Sequence, residues 1–438
     1  MTQAARDAPV SETIPSLPRR QAIFYSMGAI ASGVYNGFNL AVLSIYLNGF
    51  MGPFLQGYLS NTNTIDGAVI QPLVGRWSDR TTSRFGRRRP FIAVFAPISV
   101  LFLIAIPYLH GAGRDLRVPL IAASIILFSI ANNIAADPMK ALLVDITPER
   151  QRPRFNAVIS MVSTGAQLGF VLFALLISIK KSNTPVAIFW AAGGVMLLSY
   201  ILVFLGVREP ALAERSAHRE QRLPLRQYLI DLRQFGQAQK LLISFFFLWT
   251  GLNPLVVYLG PFVKHDFHAS NSAAYLVLLV LFGLVAVFAY PWGLLQKRYG
   301  YRPMITVGTV LMMAAAGVAL VIHVYVLLFP VAVLAGAGFS ATTVLNYPYL
   351  STLVPSSKIG VFTGLQTAFS SIAVPISTGI ATILIDTVDY RAIFALQFVM
   401  MIADLIILWR IDETRAVAEI AAVTRMDLEA PSDQTNPP

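Results

Sequence analysis

Twelve stretches of about twenty mostly apolar residues recur along the chain, and that is the length an α-helix needs to cross a bilayer. They run over 21–47, 58–77, 90–110, 118–145, 156–180, 184–206, 239–263, 271–294, 303–324, 327–352, 360–385 and 390–410. The ninth and tenth are parted only by HVYV at 323–326, a poor turn. Of the 438 residues, 56% are hydrophobic and 13% charged, about half the charged share of a soluble domain. The expectation is an all-α membrane protein with 12 transmembrane helices. There is no cysteine, which excludes disulfides and thiolate metal sites. The polar, Pro-containing N-terminus lacks the short apolar core of a signal peptide, so none is expected.

Basic residues orient the spans, because Lys and Arg concentrate in cytoplasmic loops. With the N-terminus inside, 26 of the 33 Lys and Arg fall in inside segments, six fall outside, and Lys140 lies within a span. Both termini are therefore expected in the cytoplasm, in a plasma-membrane protein that works as a monomer. The net charge of +11 then reflects these loops, and no nucleic-acid partner is expected. Segment 207–238 is the longest stretch between spans. The expected domains are a tail over 1–20, a six-helix bundle over 21–206, a linker over 207–238, a second bundle over 239–410 and a tail over 411–438. An amphipathic surface helix fits 223–236, although a solvated linker touching head groups suffices.

The densest charge lies between spans two and three. Residues 75–90 read GRWSDRTTSRFGRRRP, with six arginines and one aspartate. The second half echoes it. Gly75-x-x-x-Asp79-Arg80 runs on to Gly86-Arg87-Arg88-Arg89-Pro90, and Gly293-x-x-x-Lys297-Arg298 runs on to Gly300-Tyr301-Arg302-Pro303. Asp137-Pro138 in span four matches Tyr347-Pro348 in span ten. Two six-helix halves with matched loops indicate a duplicated fold. Transporters so built place substrate between the halves near the midplane and rock one half against the other.

Six plus six spans, a central loop and this motif after span two resemble the major facilitator superfamily, whose halves each consist of inverted 3+3 repeats. Within it, Gln71-Pro72-Leu73-Val74-Gly75, Ser78-Asp79-Arg80 and SRFGRRRPFI over 83–92 look like the sucrose and glycoside proton symporters. Ala131-Asn132-Asn133, Pro138, Ala141-Leu142-Leu143 and Asp145 in span four are similar to that family's V-A-N-N…G-P-x-R-A-L-L-A-D. The likeness is strong over 66–156 and loose elsewhere. It implies that Asp79 faces the N-terminus of span eleven and latches the halves on the cytoplasmic side. The gating set is Gly75, Asp79, Arg80, Gly86, Arg87, Arg88 and Asp145. The latch is assigned to Asp79 and Arg80, and most other arginines anchor the loop at anionic head groups. The chain departs from the family at two places. The family's proton-binding aspartate before V-A-N-N is Ser129 here, and its arginine after the proline is Lys140.

Charge inside a span is costly and marks function. Asp66 lies eleven residues before Trp77, about 16 Å deep. Asp137 lies eight residues before Asp145, and Lys140 at i+3 can pair with it. These three form the expected coupling set, with Asp66, unpartnered on its own helix, first as proton carrier. A self-neutralising Asp137–Lys140 pair is the bland alternative. Sugar recognition needs amides, hydroxyls and aromatic rings. Candidates are Asn36, Asn39, Gln71, Asn132, Asn133, Gln167, Trp249, Asn253, Tyr258, Asn346, Tyr347 and Gln366. Each taken singly is more often a helix–helix contact. His323 reads as interfacial and Asp404 as structural.

No P-loop, G-x-S-x-G or H-E-x-x-H is present, so neither an enzyme nor an ATP-driven pump is expected. The expected function is secondary transport of a disaccharide, glycoside or monosaccharide, with a proton or sodium as coupling ion and no cofactor. The alternatives are a carrier of drugs, peptides or organic acids, and a non-transporting membrane assembly factor.

Overall fold

In lipid every backbone N–H and C=O must be satisfied within the chain, so apolar runs of this length become helices. The computed structural model describes residues 18–429 except 82, 84, 112, 148–150, 181–184, 210–231 and 356–357. The expected amphipathic helix at 223–236 lies largely outside the described residues, as does most of the tail over 1–20. Among the described residues the regular structure is entirely helical. α1 is Arg19–Leu47, with a π-helical segment over Phe38–Leu43. There follow α2 (Pro53–Ser60), α3 (Thr62–Arg80), α4 (Arg89–Leu109), α5 (Arg114–Ile146), α6 (Arg152–Lys180) and α7 (Pro185–Gly206). The second half contributes α8 (Gly236–Asp266), α9 (Asn271–Tyr299), α10 (Tyr301–Val321), α11 (Leu328–Thr352), α12 (Ile359–Thr387), α13 (Ala392–Trp409) and α14 (Glu413–Glu429).

Eleven of these are long and apolar enough to cross a membrane. The expected span over 58–77 falls on the end of α2 and on α3, which are more polar and are broken at Asn61. The ninth and tenth spans separate where Ile322 and Val324 turn extended, before a 3₁₀ turn over Tyr325–Leu327.

Packing divides the chain into two units. The first takes residues up to Gly37, 69–170 and 185–219, and the second takes 38–68, 171–184 and 220 onward, so far as these are described. In the first unit, α4 packs on α5 and α7, and α1 on α7. Close approach there depends on small residues. A Cβ at Gly33 would stand 2.1 Å from the Ser163 carbonyl oxygen on α6. In the second unit, α8 packs on α12 and α13, and α11 on α9 and α10. Gly308 and Gly338 bring α10 and α11 together in the same way.

The end of α1 and all of α2 belong to the second unit and are tied to it by uncharged groups. Ser44 Oγ donates to the Val257 carbonyl, and Tyr258 OH donates to the Pro53 carbonyl at 3.0 Å. Asn48 Nδ2 donates to Tyr390 OH at 2.9 Å, and Asn61 Nδ2 to Thr378 Oγ1 at 3.0 Å.

The duplication is visible in the backbone. Among the described glycines only Gly86 (φ 99°) and Gly300 (φ 85°) have positive φ, and they are the paired loop glycines. The arginine before each loop proline then caps the last membrane helix of its own half. Arg89 donates to the Phe204 carbonyl on α7, and Arg302 to the Trp409 carbonyl on α13 at 2.6 Å.

Candidate functional site

Three helices of the second unit surround a cavity of about 210 Å³. α8 supplies Trp249 and Phe245, which meet edge to face at 6.1 Å. α11 supplies Thr342, Thr343, Asn346 and Tyr347, and α12 supplies Gln366, Thr367 and Ser370. Asn346 Nδ2 donates to the Thr342 carbonyl at 2.9 Å, which orients its amide. Gln366 is buried and lines the same cavity. No lining residue carries a charge. Aromatic rings, amides and hydroxyls without charge suit a neutral polyhydroxyl compound, whose hydroxyls both donate and accept while its C–H face rests on a ring.

Four sequence candidates therefore meet here: Trp249, Asn346, Tyr347 and Gln366. Sequence reasoning misses the hydroxyls of Thr342, Thr343, Thr367 and Ser370. Their signal is the i, i+4 spacing of Thr342 with Asn346 and of Gln366 with Ser370, which puts each pair on one helix face. Two other candidates serve helix contacts. Asn253 Nδ2 donates to Ser377 Oγ at 3.0 Å and Thr378 Oγ1 at 3.2 Å. Tyr258 is fully buried between the Pro53 carbonyl and the Thr382 hydroxyl.

In the first unit the candidates gather on α5. Asn132 Oδ1 accepts from Tyr200 OH at 3.0 Å. Ser129 Oγ lies 3.3 Å from Tyr35 OH. Asn133 and Asp137, four residues apart, share one face. Each has a buried side-chain atom without a hydrogen-bond partner, Nδ2 and Oδ2 respectively. Lys140 Nζ reaches Asp137 Oδ1 at 3.1 Å, with the lysine largely exposed and the aspartate buried. Gln167 is half-buried, its carbonyl against Gly37. Asn36 is half-buried and Gln71 is exposed, while Asn39, buried in the π segment, belongs to the second unit. Asp66 lies on α3, but its side chain is outside the described residues.

The arginine loop forms a second constellation. Gly86 turns the chain so that the N–H groups of Arg87, Arg88 and Arg89 converge on the Glu209 carboxylate at 2.9, 2.8 and 2.9 Å. Such a concave run of N–H groups at a helix start holds an anion. Arg87 Nη2 and Arg88 Nε both reach Asp145 Oδ2, at 3.0 and 2.8 Å. The loop is thereby bound to the ends of α5 and α7 within its own unit. Glu209 does not stand out in the sequence because it sits in a charged stretch with no motif of its own. Gly75 is half-buried and Arg80 is exposed at the end of α3, while the side chain of Asp79 lies outside the described residues.

With the geometry in view, known proteins can be set beside it. A family model described as MFS/sugar transport protein matches residues 24–407. Sucrose transport protein SUC3 of Arabidopsis thaliana is 35% identical over 162 residues, an alignment taking in 32% of this chain and 27% of the relative. Proton-associated sugar transporter A of Homo sapiens is 33% identical over 120 residues, covering 24% of this chain and 16% of the relative. The chain thus spans about a quarter or less of the length of these relatives. Among solved structures, the D-xylose-proton symporter superposes with a TM-score of 0.70 at 15% identity, covering 90% of this chain and 99% of the other. A mutant form of the nucleoside transporter NupG gives 0.68 at 12% identity, over 89% and 99%. At these identities the two share the fold. The family match spans nearly all of the helical chain, and the protein is a multi-pass membrane protein that belongs to the MFS/sugar transport protein family.

Proposed function

We propose that this chain moves a neutral sugar or glycoside across the cytoplasmic membrane by proton symport through alternating access, as a monomer with both termini in the cytoplasm. The observation that carries the substrate class is the uncharged cavity in which Trp249, Asn346, Gln366 and four hydroxyls converge. An organic acid or a cationic drug would lack a counter-charge among these residues. The partial likeness to sucrose and proton-associated sugar transporters supports a saccharide and a proton. The coupling candidates are Asp137, with Lys140 at 3.1 Å, in the first unit, and Asp66 on α3. Taking up a proton at Asp137 would release Lys140 from its ion pair, a change that substrate binding can read.

Uptake of labelled sugars into proteoliposomes, with and without an imposed pH gradient, tests the reading. Saccharide uptake stimulated by inward proton flow is expected. Failure with every saccharide class would remove the substrate assignment, and indifference to the gradient would remove the coupling. Gln366→Ala is expected to lower affinity about 10-fold or more, the worth of one or two buried hydrogen bonds.

A further inference from the structure

Asp404 differs from Asp137, the buried carboxylate of the first unit. It is 1% exposed, on α13, and faces α8 and α10. Ser244 Oγ on α8 donates to Oδ1, and Thr309 Oγ1 on α10 donates to Oδ2 at 2.8 Å. No lysine, arginine or histidine among the described residues contacts it. The basic groups near that end of the helices are engaged elsewhere. Lys240 Nζ lies on the Gln237 side chain and the Arg410 carbonyl, and Arg302 on the Trp409 carbonyl. Lys264 and His265 are at the far end of α8. On α14, Arg415 pairs with Asp412, and Glu419 faces the backbone at Gln237. Asp137 has its lysine, but Asp404 has only hydroxyls.

Hydroxyl partners suit a group that changes protonation state. When Asp404 is ionised, both hydroxyls donate to it. When it carries a proton, its own O–H donates to one of them. A helical serine or threonine can then turn its hydrogen toward the carbonyl four residues back. Every polar atom is thus satisfied in both states, which a fixed donor such as a guanidinium does not permit.

A second polar station lies on the same face of α13. Gln397, seven residues away and about 10 Å along the axis, is 1% exposed, and neither its amide nitrogen nor its amide oxygen has a partner. It is the one polar side chain lining a cavity of about 30 Å³, otherwise walled by residues such as Leu255, Val277, Ala316 and Leu328. That volume admits one or two waters, which the orphaned amide would hold. Met401, fully buried, lies between the two stations.

We propose that Asp404 is a proton-binding site of the second unit, loaded and emptied during transport, with water on Gln397 as the neighbouring station. The step is a simple proton transfer. A carboxylate oxygen of Asp404 takes a proton from hydronium, leaving water, and no electrons change hands. The site is additional to Asp66 and Asp137, and it rests on the proton-symport reading above.

The test is Asp404→Asn in proteoliposomes. Asparagine keeps the size and hydrogen bonding of the neutral acid but cannot exchange a proton. For one proton per sugar, a one-unit pH gradient supports up to about tenfold accumulation. The variant is expected to accumulate up to about tenfold less sugar than the wild type, the share of the one proton it no longer carries, while sugar counterflow, which needs no net proton movement, persists. Infrared difference spectra of the wild type between acid and alkaline pH should contain a carboxylic-acid C=O band that the variant lacks. Accumulation at the wild-type ratio, or an unchanged band, would overturn the assignment. If counterflow also disappears, the infrared band in the purified variant decides alone. A wild type that ignores the gradient defeats the symport reading itself, whatever the variant does.

Discussion

A methyl group added at Gly86 would meet two penalties at once. The φ of 99° is strained for any side chain, and the new Cβ would stand 2.5 Å from the Glu209 carboxyl carbon. At Gly300, φ is 85° and the nearest atom is Pro303 Cδ at 3.9 Å, so only the strain remains. With ψ at 171° this backbone is one that glycine alone adopts readily, and Gly300→Ala is expected to cost about 1–2 kcal/mol. Gly86→Ala should cost about 2–3 kcal/mol, because the carboxylate must also leave its three N–H partners. Thermal unfolding of the two variants in detergent checks the order. Asp412 gives a residue-scale prediction in pH. Its carboxylate caps α14, held below the usual carboxyl range first by the Thr414 hydroxyl and also by the N–H groups of Arg415 and Thr414. A depressed value means that the stabilisation is present above the ordinary carboxyl range and is lost as pH falls through the folded value. The first turn of α14 should therefore fray on acidification below about pH 4. Hydrogen exchange over 413–420 reads this, and Asp412→Ala should fray at every pH.

Among the elements, α14 shows how far sequence reading reaches. The tail over 411–438 has no run of twenty apolar residues, so it reads as a tail alone. Yet Ala416, Ile420 and Val423 follow helical spacing, and they pack on a core that includes Phe235, Leu241 and Leu408. Glu419 adds a carboxylate that accepts from the Gln237 N–H in the first turn of α8, where the helix dipole favours it. Ala416→Asp would place a charge at a 1% exposed position. It is expected to undock α14 at a cost on the order of 3 kcal/mol, seen as faster proteolysis of the tail. Membrane spans are legible because a bilayer imposes a length. The π segment over Phe38–Leu43 is not, because a run of apolar residues fixes length and leaves hydrogen-bond register open. The cavity is half legible. Asn346 and Gln366 are conspicuous in apolar helices, whereas Thr342, Thr343, Thr367 and Ser370 donate to carbonyls of their own helices as most helical hydroxyls do, and only the spacing of Thr342 and Ser370 points to the cavity.

At the scale of the whole molecule, the duplication read from GRRRP and GYRP is built into the bonding, with Arg89 and Arg302 each capping the last membrane helix of its half. The excess of basic residues on one set of loops leads to a topological prediction. Reporters fused at either end should both be active on the cytoplasmic side, and opposite results for the two ends would contradict an even number of crossings. The uncharged cavity also has an electrical consequence. A neutral sugar held there, as proposed, would add nothing to the charge that crosses with each turnover, and all of it would belong to the coupling ion. Each such charge is worth about 2.3 kcal/mol per 100 mV of membrane potential. The carrier should then behave as a current source, and the charge moved per sugar, recorded on a capacitively coupled membrane, counts the ions directly.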